Sequence, residues 1–204
     1  MDGRKGRFIV FEGIDGSGKS TQVRRLKAYL CSKGIKCEET REPQDERPVG
    51  ALLRKALKGE ISLDEGTIAL LFAADRLDHI RQMKSKLESG ISIICDRYFF
   101  SSFAYNDTSL DGEWVFEINA EAMRNLMPDM VIFLDLPSEV SLARVAARGK
   151  KELYENVERQ ERVRKNYFSV FKRFEDKLNI TVIDGAEDSA EVAKKVHKAV
   201  DNLF

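Results

Sequence analysis

The chain has 204 residues, 43% of them apolar and 33% charged, which reads as one α/β domain over residues 1–204 with enough chain to bury a full core. Its 34 Lys and Arg balance 34 Asp and Glu, and a net charge of zero argues against a general polyanion surface, so nucleic acid is not an expected partner. No apolar run is long enough for a signal-peptide core or a membrane span, so the expected setting is the cytoplasm, with no membrane partner.

The first element is the apolar run Phe8-Ile9-Val10-Phe11, read as a strand, which leads into Gly13-Ile14-Asp15-Gly16-Ser17-Gly18-Lys19-Ser20-Thr21. This stretch satisfies G-x-x-x-x-G-K-[ST], the pattern of a P-loop, and sits between a strand and a helix as that loop requires. Gly13, Gly16 and Gly18 free the backbone so that successive N–H groups can converge on phosphate oxygens; Lys19 adds a positive charge, and Ser20 offers a hydroxyl to Mg2+. The helix that starts near Lys19 and runs through Val23, Leu26 and Leu30 aims its positive end at the same anion. These features point to a triphosphate and are silent on the acceptor. Cys31, Cys37 and Cys95, an odd number without C-x-x-C spacing, read as ordinary intracellular thiols, and with only two histidines they assemble no zinc cluster.

Gly34 ends the helix, and Ile35 to Thr40 is a short second strand of weak apolar character, expected near a sheet edge. Pro43 and Pro48 forbid a continuous helix, so Arg41 to Pro48 is a loop at a strand's carboxyl end, where open α/β sheets bind ligands. Its charges read equally as functional groups or as a solvated loop. Residues 50–58 form a short helix carrying Arg54. Residues 64–88 form a long one whose stripe Leu70, Ala74, Leu77, Ile80, Met83, Leu87 is expected to face the core. A second face sets Phe72, Asp75, Arg76 and His79 at i, i+3, i+4 and i+7. It is either a surface stripe or a base-binding face with a ring to stack and a guanidinium to hydrogen-bond, and spacing alone favours the surface stripe.

Ile91 to Arg97 is a third, nearly all-apolar strand, read as a central one that delivers Asp96 and Arg97 to the ligand edge of the sheet. A partner such as phosphate or Mg2+-bound water accounts for two charges closing a buried strand better than a mere capping ion pair does. Tyr98 to Tyr105 is a helical turn with Ser101, Ser102 and Tyr105 on the same edge. Residues 114–125 form an amphipathic helix, Met130 to Leu136 a fourth strand, and Pro137 starts a helix over 138–147. Arg144, Arg148, Lys150 and Lys151 crowd around Gly149: a candidate mobile lid over polyphosphate, or a solvated helix end whose cations meet its negative dipole. Residues 152–177 read as a long charged helix, Ile180 to Ile183 as a fifth strand and 188–203 as the closing helix.

Strands alternating with helices in this way predict a parallel three-layer α/β sheet. The stretches Phe11 to Gln22, Thr40-Arg41-Glu42-Pro43, Leu71-Phe72-Ala73-Ala74-Asp75-Arg76, Asp96-Arg97-Tyr98 and Ser101-Ser102-Phe103-Ala104-Tyr105 resemble those of thymidylate kinases over nearly the full length. The resemblance implies an α/β/α P-loop kinase fold with a five-stranded parallel sheet. It also implies ATP- and Mg2+-dependent phosphorylation of dTMP to dTDP, by direct in-line transfer and in a homodimer. Residues Gly13 to Thr21 would bind ATP, with Ser20 and Asp96 at the Mg2+; Lys19, Asp15 and Arg97 would serve catalysis. Phe72 would stack on thymine and Arg76 hydrogen-bond the base, which reverses the reading of that helix face. Arg97 would hold the dTMP phosphate, Ser101 and Ser102 lie near the base, Tyr105 lie beneath the deoxyribose, and Arg41, Glu42 and Arg54 line the acceptor pocket. Gly16 and Ser17 stand where one subgroup has an arginine, so the catalytic cation is expected from a lid over 144–156, with Arg144 and Arg148 as candidates. This chain departs from the family pattern at Gln44-Asp45, where Gly-Gly is usual, and at Asn106, where bacterial-like members often have Gln.

Overall fold

The computed structural model describes residues 5–105, 110–147 and 157–204. A parallel sheet runs in the order β2-β3-β1-β4-β5, where β1 is Phe8–Glu12, β2 Cys37–Arg41, β3 Ser92–Asp96, β4 Met130–Asp135 and β5 Ile180–Asp184. The helices between them are α1 (Lys19–Ser32), α2 (Pro48–Leu57), α3 (Glu65–Glu88), α4 (Phe99–Tyr105), α5 (Gly112–Asn125), α6 (Ser138–Ala146), α7 (Val157–Phe174) and α8 (Ser189–Asp201). β2 is an edge strand and β3 an interior one, as the sequence indicates.

β1 is apolar at four successive positions because it is covered on both faces. Phe8 and Val10 join Ile93, Cys95, Val131 and Phe133 in a core closed by α3, α4 and α7. Ile9 and Phe11 join Ile94, Ile132 and Leu134 in a second core closed by Leu26 and Leu30 of α1 and Val196 and Val200 of α8. The alternation follows from the pleat, which sends successive side chains to opposite faces. Aromatic rings thicken the first core: Phe100 meets Phe171 and Phe174, and Phe133 meets Tyr167, at centroid separations of 5.0–5.7 Å. Full burial of one such ring stabilises the fold by roughly 1.5–3 kcal/mol.

All the strands end in a charged residue at one edge of the sheet: Glu12, Arg41, Asp96, Asp135 and Asp184. Register brings Asp96 opposite both Phe11 and Arg41. Because β2 and β3 lie to one side of β1 and β4 and β5 to the other, the crevice beyond the end of β1 is the topological switch point where such sheets take ligands.

One expectation fails in α3. Leu70 and Leu77 are 49% and 38% exposed, and Ala74 is exposed as well, whereas Ala69, Ala73, Arg76, Ile80, Met83 and Leu87 form the buried stripe. The expected stripe is right from Ile80 onward and one residue out of step before it. The cause is Arg76, which takes an inward position because its charge is paired there; an apolar side chain then occupies the outer face.

Candidate active site

The P-loop fills the switch point. An added Cβ at Gly13, whose φ is 149°, would lie 2.7 Å from the Leu134 carbonyl. Gly18 caps α1 in a left-handed conformation, φ 96°; glycine is the residue that both positions tolerate. Lys19 folds back over the loop and donates to the carbonyls of Gly13 (2.9 Å) and Ile14 (3.1 Å). Burial, helped by repulsion from Arg97, pushes its ammonium down to about 8. The Ser17 hydroxyl is buried with no hydrogen-bond partner among the described residues.

Ser20 Oγ donates to Asp96 Oδ2 at 2.6 Å, joining the helix start to the end of β3. Among the described residues no group of three or more His, Cys, Asp or Glu could hold an ion unaided. A hydroxyl beside a carboxylate is instead the hard-oxygen set that Mg2+ uses when phosphates and water complete its shell, so the donors fit an ion that arrives with a nucleotide.

Arg97 is the hub. Its φ of 73° makes it the one non-glycine residue with positive φ among those described, and its N–H is tied to the Phe11 carbonyl at 2.9 Å. One terminal nitrogen donates to Asp15 and to Tyr105 Oη (3.0 Å), the other to Ser101 Oγ (3.1 Å) and Tyr167 Oη (3.2 Å). Tyr105 Oη closes the triangle on Asp15 Oδ2 at 3.2 Å. Desolvation works against the Asp15 charge, but the Arg97 guanidinium and the Lys19 ammonium hold its carboxyl below the usual range.

Behind the hub lies Glu12, 0% exposed, a residue that the sequence reading missed. Its carboxylate accepts from the Tyr98 N–H (2.8 Å), Ser101 Oγ (2.7 Å) and Tyr167 Oη (2.9 Å). Ser101 and Tyr167 are the same groups that receive Arg97, so Glu12 fixes the arginine through them. Burial pushes its carboxyl above the usual range. The signal the sequence carries for it is an acid that closes an apolar strand, the same signal that marks Asp96. Tyr167 sits on the apolar stripe Val163, Tyr167, Phe171, Phe174 of α7, where only the contact itself reveals its role.

The far wall is built on α3. Arg76, 2% exposed, donates from Nε to Glu42 Oε2 (2.8 Å) and from Nη1 to Ser102 Oγ (3.0 Å) and Asn119 Oδ1. His79 Nδ1 lies 3.1 Å from the other Glu42 oxygen, and its Nε2 lies 2.8 Å from Thr40 Oγ1. Glu42 is thus held between Arg76 and His79. Phe72 is half-buried one turn before Arg76. At the loop where Gly-Gly is usual, Gln44 donates its N–H to Asp75 (3.1 Å), and Asp45 accepts from Arg41 (2.6 Å) and Arg54 (2.9 Å), gathering both arginines. On the opposite side α6 docks on the P-loop, with Ser141 Oγ donating to the Asp15 carbonyl. Arg144 donates to the Gly185 carbonyl at 2.9 Å and approaches Gly16 O at 3.5 Å. Arg148 and the rest of the expected lid, 148–156, lie outside the described residues, as does Asn106.

A family model for thymidylate kinase matches residues 11–196. A probable thymidylate kinase of Pyrococcus horikoshii is 40% identical over 192 residues, covering 90% of this chain and 92% of its own. The thymidylate kinase of Caldicellulosiruptor saccharolyticus is 38% identical over 206 residues, 98% of each chain. The solved structure of Candida albicans thymidylate kinase matches at a TM-score of 0.80 over 97% of this chain and 92% of that one; at 24% identity this is a likeness of fold. With the family model spanning most of its length and relatives near 40% identity almost end to end, this chain belongs to the thymidylate kinase family, enzymes that phosphorylate dTMP.

Proposed function

We propose that the chain transfers the γ-phosphoryl group of ATP, with Mg2+, to dTMP, yielding dTDP for dTTP biosynthesis by direct in-line displacement. The observation that carries this reading is the Arg97 hub, which ties Asp15 of the P-loop to Tyr105 and Ser101 of α4 and so joins a donor half-site to an acceptor half-site. In this reading the N–H groups of Gly13 to Thr21 and the Lys19 ammonium hold the triphosphate, and the Ser17 hydroxyl, which has no hydrogen-bond partner among the described residues, is available to a phosphate oxygen. Ser20 and Asp96 would hold Mg2+, which supplies neutralisation of phosphate charge when bound. Arg97 holds the dTMP phosphate; Phe72 and Arg76 take the thymine, with Ser101 and Ser102 beside it. Tyr105 underlies the sugar, and Arg41, Glu42 and Arg54 shape the outer pocket. The reaction asks little covalent chemistry of the protein, so fixed cations and orientation account for the rate.

A catalytic cation from a lid over 144–156, supplied by Arg144 or Arg148, completes the proposal. The whole of 1–204 works as one domain. The outward Leu70, Ala74 and Leu77 of α3, with Leu52 of α2 at 40% exposure, support a homodimer built on those helices. Among the described residues no helix is long and apolar enough to cross a membrane, and the proposed setting is the cytoplasm.

The test is a panel of nucleoside monophosphates assayed with MgATP, together with ATP consumption in the absence of acceptor. dTMP should have the highest kcat/KM, with little turnover without it. Preference for UMP or CMP would remove the thymidylate assignment, and acceptor-independent ATP hydrolysis would remove the kinase reading altogether.

A further inference from the structure

At the end of α1 remote from the P-loop, Cys31 and Cys37 bring their sulfurs to 3.6 Å, which is van der Waals contact. Cys31 lies on the last turn of α1 and is exposed; Cys37 opens β2 and is buried. The chain between them is a fixed turn. The Gly34 N–H is bonded to the Cys31 carbonyl and the Ile35 N–H to the Leu30 carbonyl, each at 3.0 Å, and Gly34 has φ 77°. The backbone therefore holds the end of α1 and the start of β2, which carry the two thiols, in a fixed relation.

We infer that Cys31 and Cys37 form an oxidisable dithiol, in which Cys31 reacts with a peroxide and Cys37 resolves the product as an intramolecular disulfide. The exposed Cys31 thiolate attacks one peroxide oxygen; the O–O bond breaks, hydroxide leaves, and Cys31 becomes a sulfenic acid. The Cys37 sulfur, giving its proton to that hydroxide, attacks the Cys31 sulfur; the S–S bond forms and the S–O bond breaks. The leaving hydroxide takes up the proton that the Cys31 thiol gave up on ionising. The dithiol loses two electrons, and the peroxide is reduced to two waters. Exposure assigns the order, since Cys37 is buried and its thiol is pushed up to about 12, first by desolvation and then by its hydrogen-bond contact with the Cys31 sulfur. A nearby resolving thiol diverts a sulfenic acid from irreversible oxidation to sulfinic acid. Forming the bond brings the sulfurs from 3.6 Å to a length of about 2.05 Å.

The experiment treats the full chain with hydrogen peroxide, blocks remaining thiols with N-ethylmaleimide and digests with trypsin without reduction. Lys33 and Lys36 lie between the two cysteines, so cleavage separates Ala28–Lys33 from Cys37–Arg41 unless a disulfide joins them. The expected product is that joined pair, with intact mass lowered by about 2 Da. Cys37→Ser should instead drive Cys31 to the sulfinic acid, a gain of about 32 Da. Cys31→Ser, at an exposed position, should leave Cys37 reduced under the same dose. The inference is overturned if wild type yields separate peptides carrying oxoacids or maleimide adducts, or if the bond formed involves Cys95 or a second chain. The pair stands an α1 length, roughly 20 Å, from Lys19, so oxidised protein should retain its turnover, and the inference does not depend on the proposed acceptor.

Discussion

Lys19 carries a prediction that needs no nucleotide. Its side chain is 7% exposed, and burial with repulsion from Arg97 lowers its pKa from 10.5 to about 8. Between those values the unfolded chain binds more protons than the folded one, so stability rises with pH across the window, and the full cost of the buried charge is present below it. That cost is about 3 kcal/mol. Lys19→Met keeps the apolar stem and removes the charge, but it also forfeits the bonds to Gly13 and Ile14, worth roughly 1.5–3 kcal/mol each as charge-assisted contacts. These terms oppose each other at neutral pH, where the stability difference decides nothing. The pH dependence is decisive: wild type should gain about 3 kcal/mol on the variant from pH 7 to 10.5, or about 6–12 °C in Tm for a domain of this size. Ligand-free thermal and urea melts of both proteins across that range are the assay. Parallel curves would refute the buried-ammonium reasoning. Turnover of the variant should meanwhile fall by orders of magnitude with the fold intact, because in the proposed reaction the charge held at this cost in stability would neutralise the transferring phosphoryl group.

Arg97→Ala removes charge-assisted contacts of roughly 1.5–3 kcal/mol each and should weaken every monophosphate acceptor alike; selective loss of one nucleotide in a kcat/KM panel would move Arg97 away from the phosphate. Phe72→Ala should raise KM for dTMP by the equivalent of about 1–3 kcal/mol while sparing ATP binding, and unchanged dTMP kinetics would deny it the base. Arg144→Ala, Arg148→Ala and their double variant should lower kcat more than dTMP affinity, with up to about 10³-fold lost for an arginine finger; unaltered kcat in all of them places the catalytic cation elsewhere. Glu12→Gln presents an amide where Tyr98, Ser101 and Tyr167 all donate. Leaving one such donor unpaired costs about 1–3 kcal/mol, so Tm should drop by roughly 2–12 °C, and an unshifted melt would mean that these contacts do not form a network.

What the sequence disclosed follows from where its signals are local. The P-loop declares itself because glycines, lysine and hydroxyl must be contiguous to fold around phosphate, and β1, β3 and β4 declare themselves because strands covered on both faces are apolar without interruption. The inward face of α3 was misassigned for the opposite reason. Arg76 is tolerated inside by Glu42, 34 residues before it, and by Asn119, 43 residues after it; no window on one helix contains that compensation. A charge in such a place obeys the same rule as the apolar stripe, since it enters the interior only when its hydrogen bonds are met there.

The same reasoning separates Glu12 from Asp96, two acids that close adjacent strands one residue out of register. Asp96 meets the P-loop hydroxyl of Ser20 at the rim, where a ligand can reach both. Glu12 is wholly enclosed and spends its oxygens on Tyr98, Ser101 and Tyr167, so it can act on a substrate only through the groups it orients, Ser101 and, through Ser101 and Tyr167, Arg97. An enclosed acid with raised pKa is costly. What it secures is the orientation of a guanidinium whose backbone is held at φ 73°, a conformation that persists only where surrounding bonds over-determine it. The strain at Arg97 and the burial of Glu12 are thus two sides of one arrangement, in which an acid behind the sheet edge fixes a base in front of it.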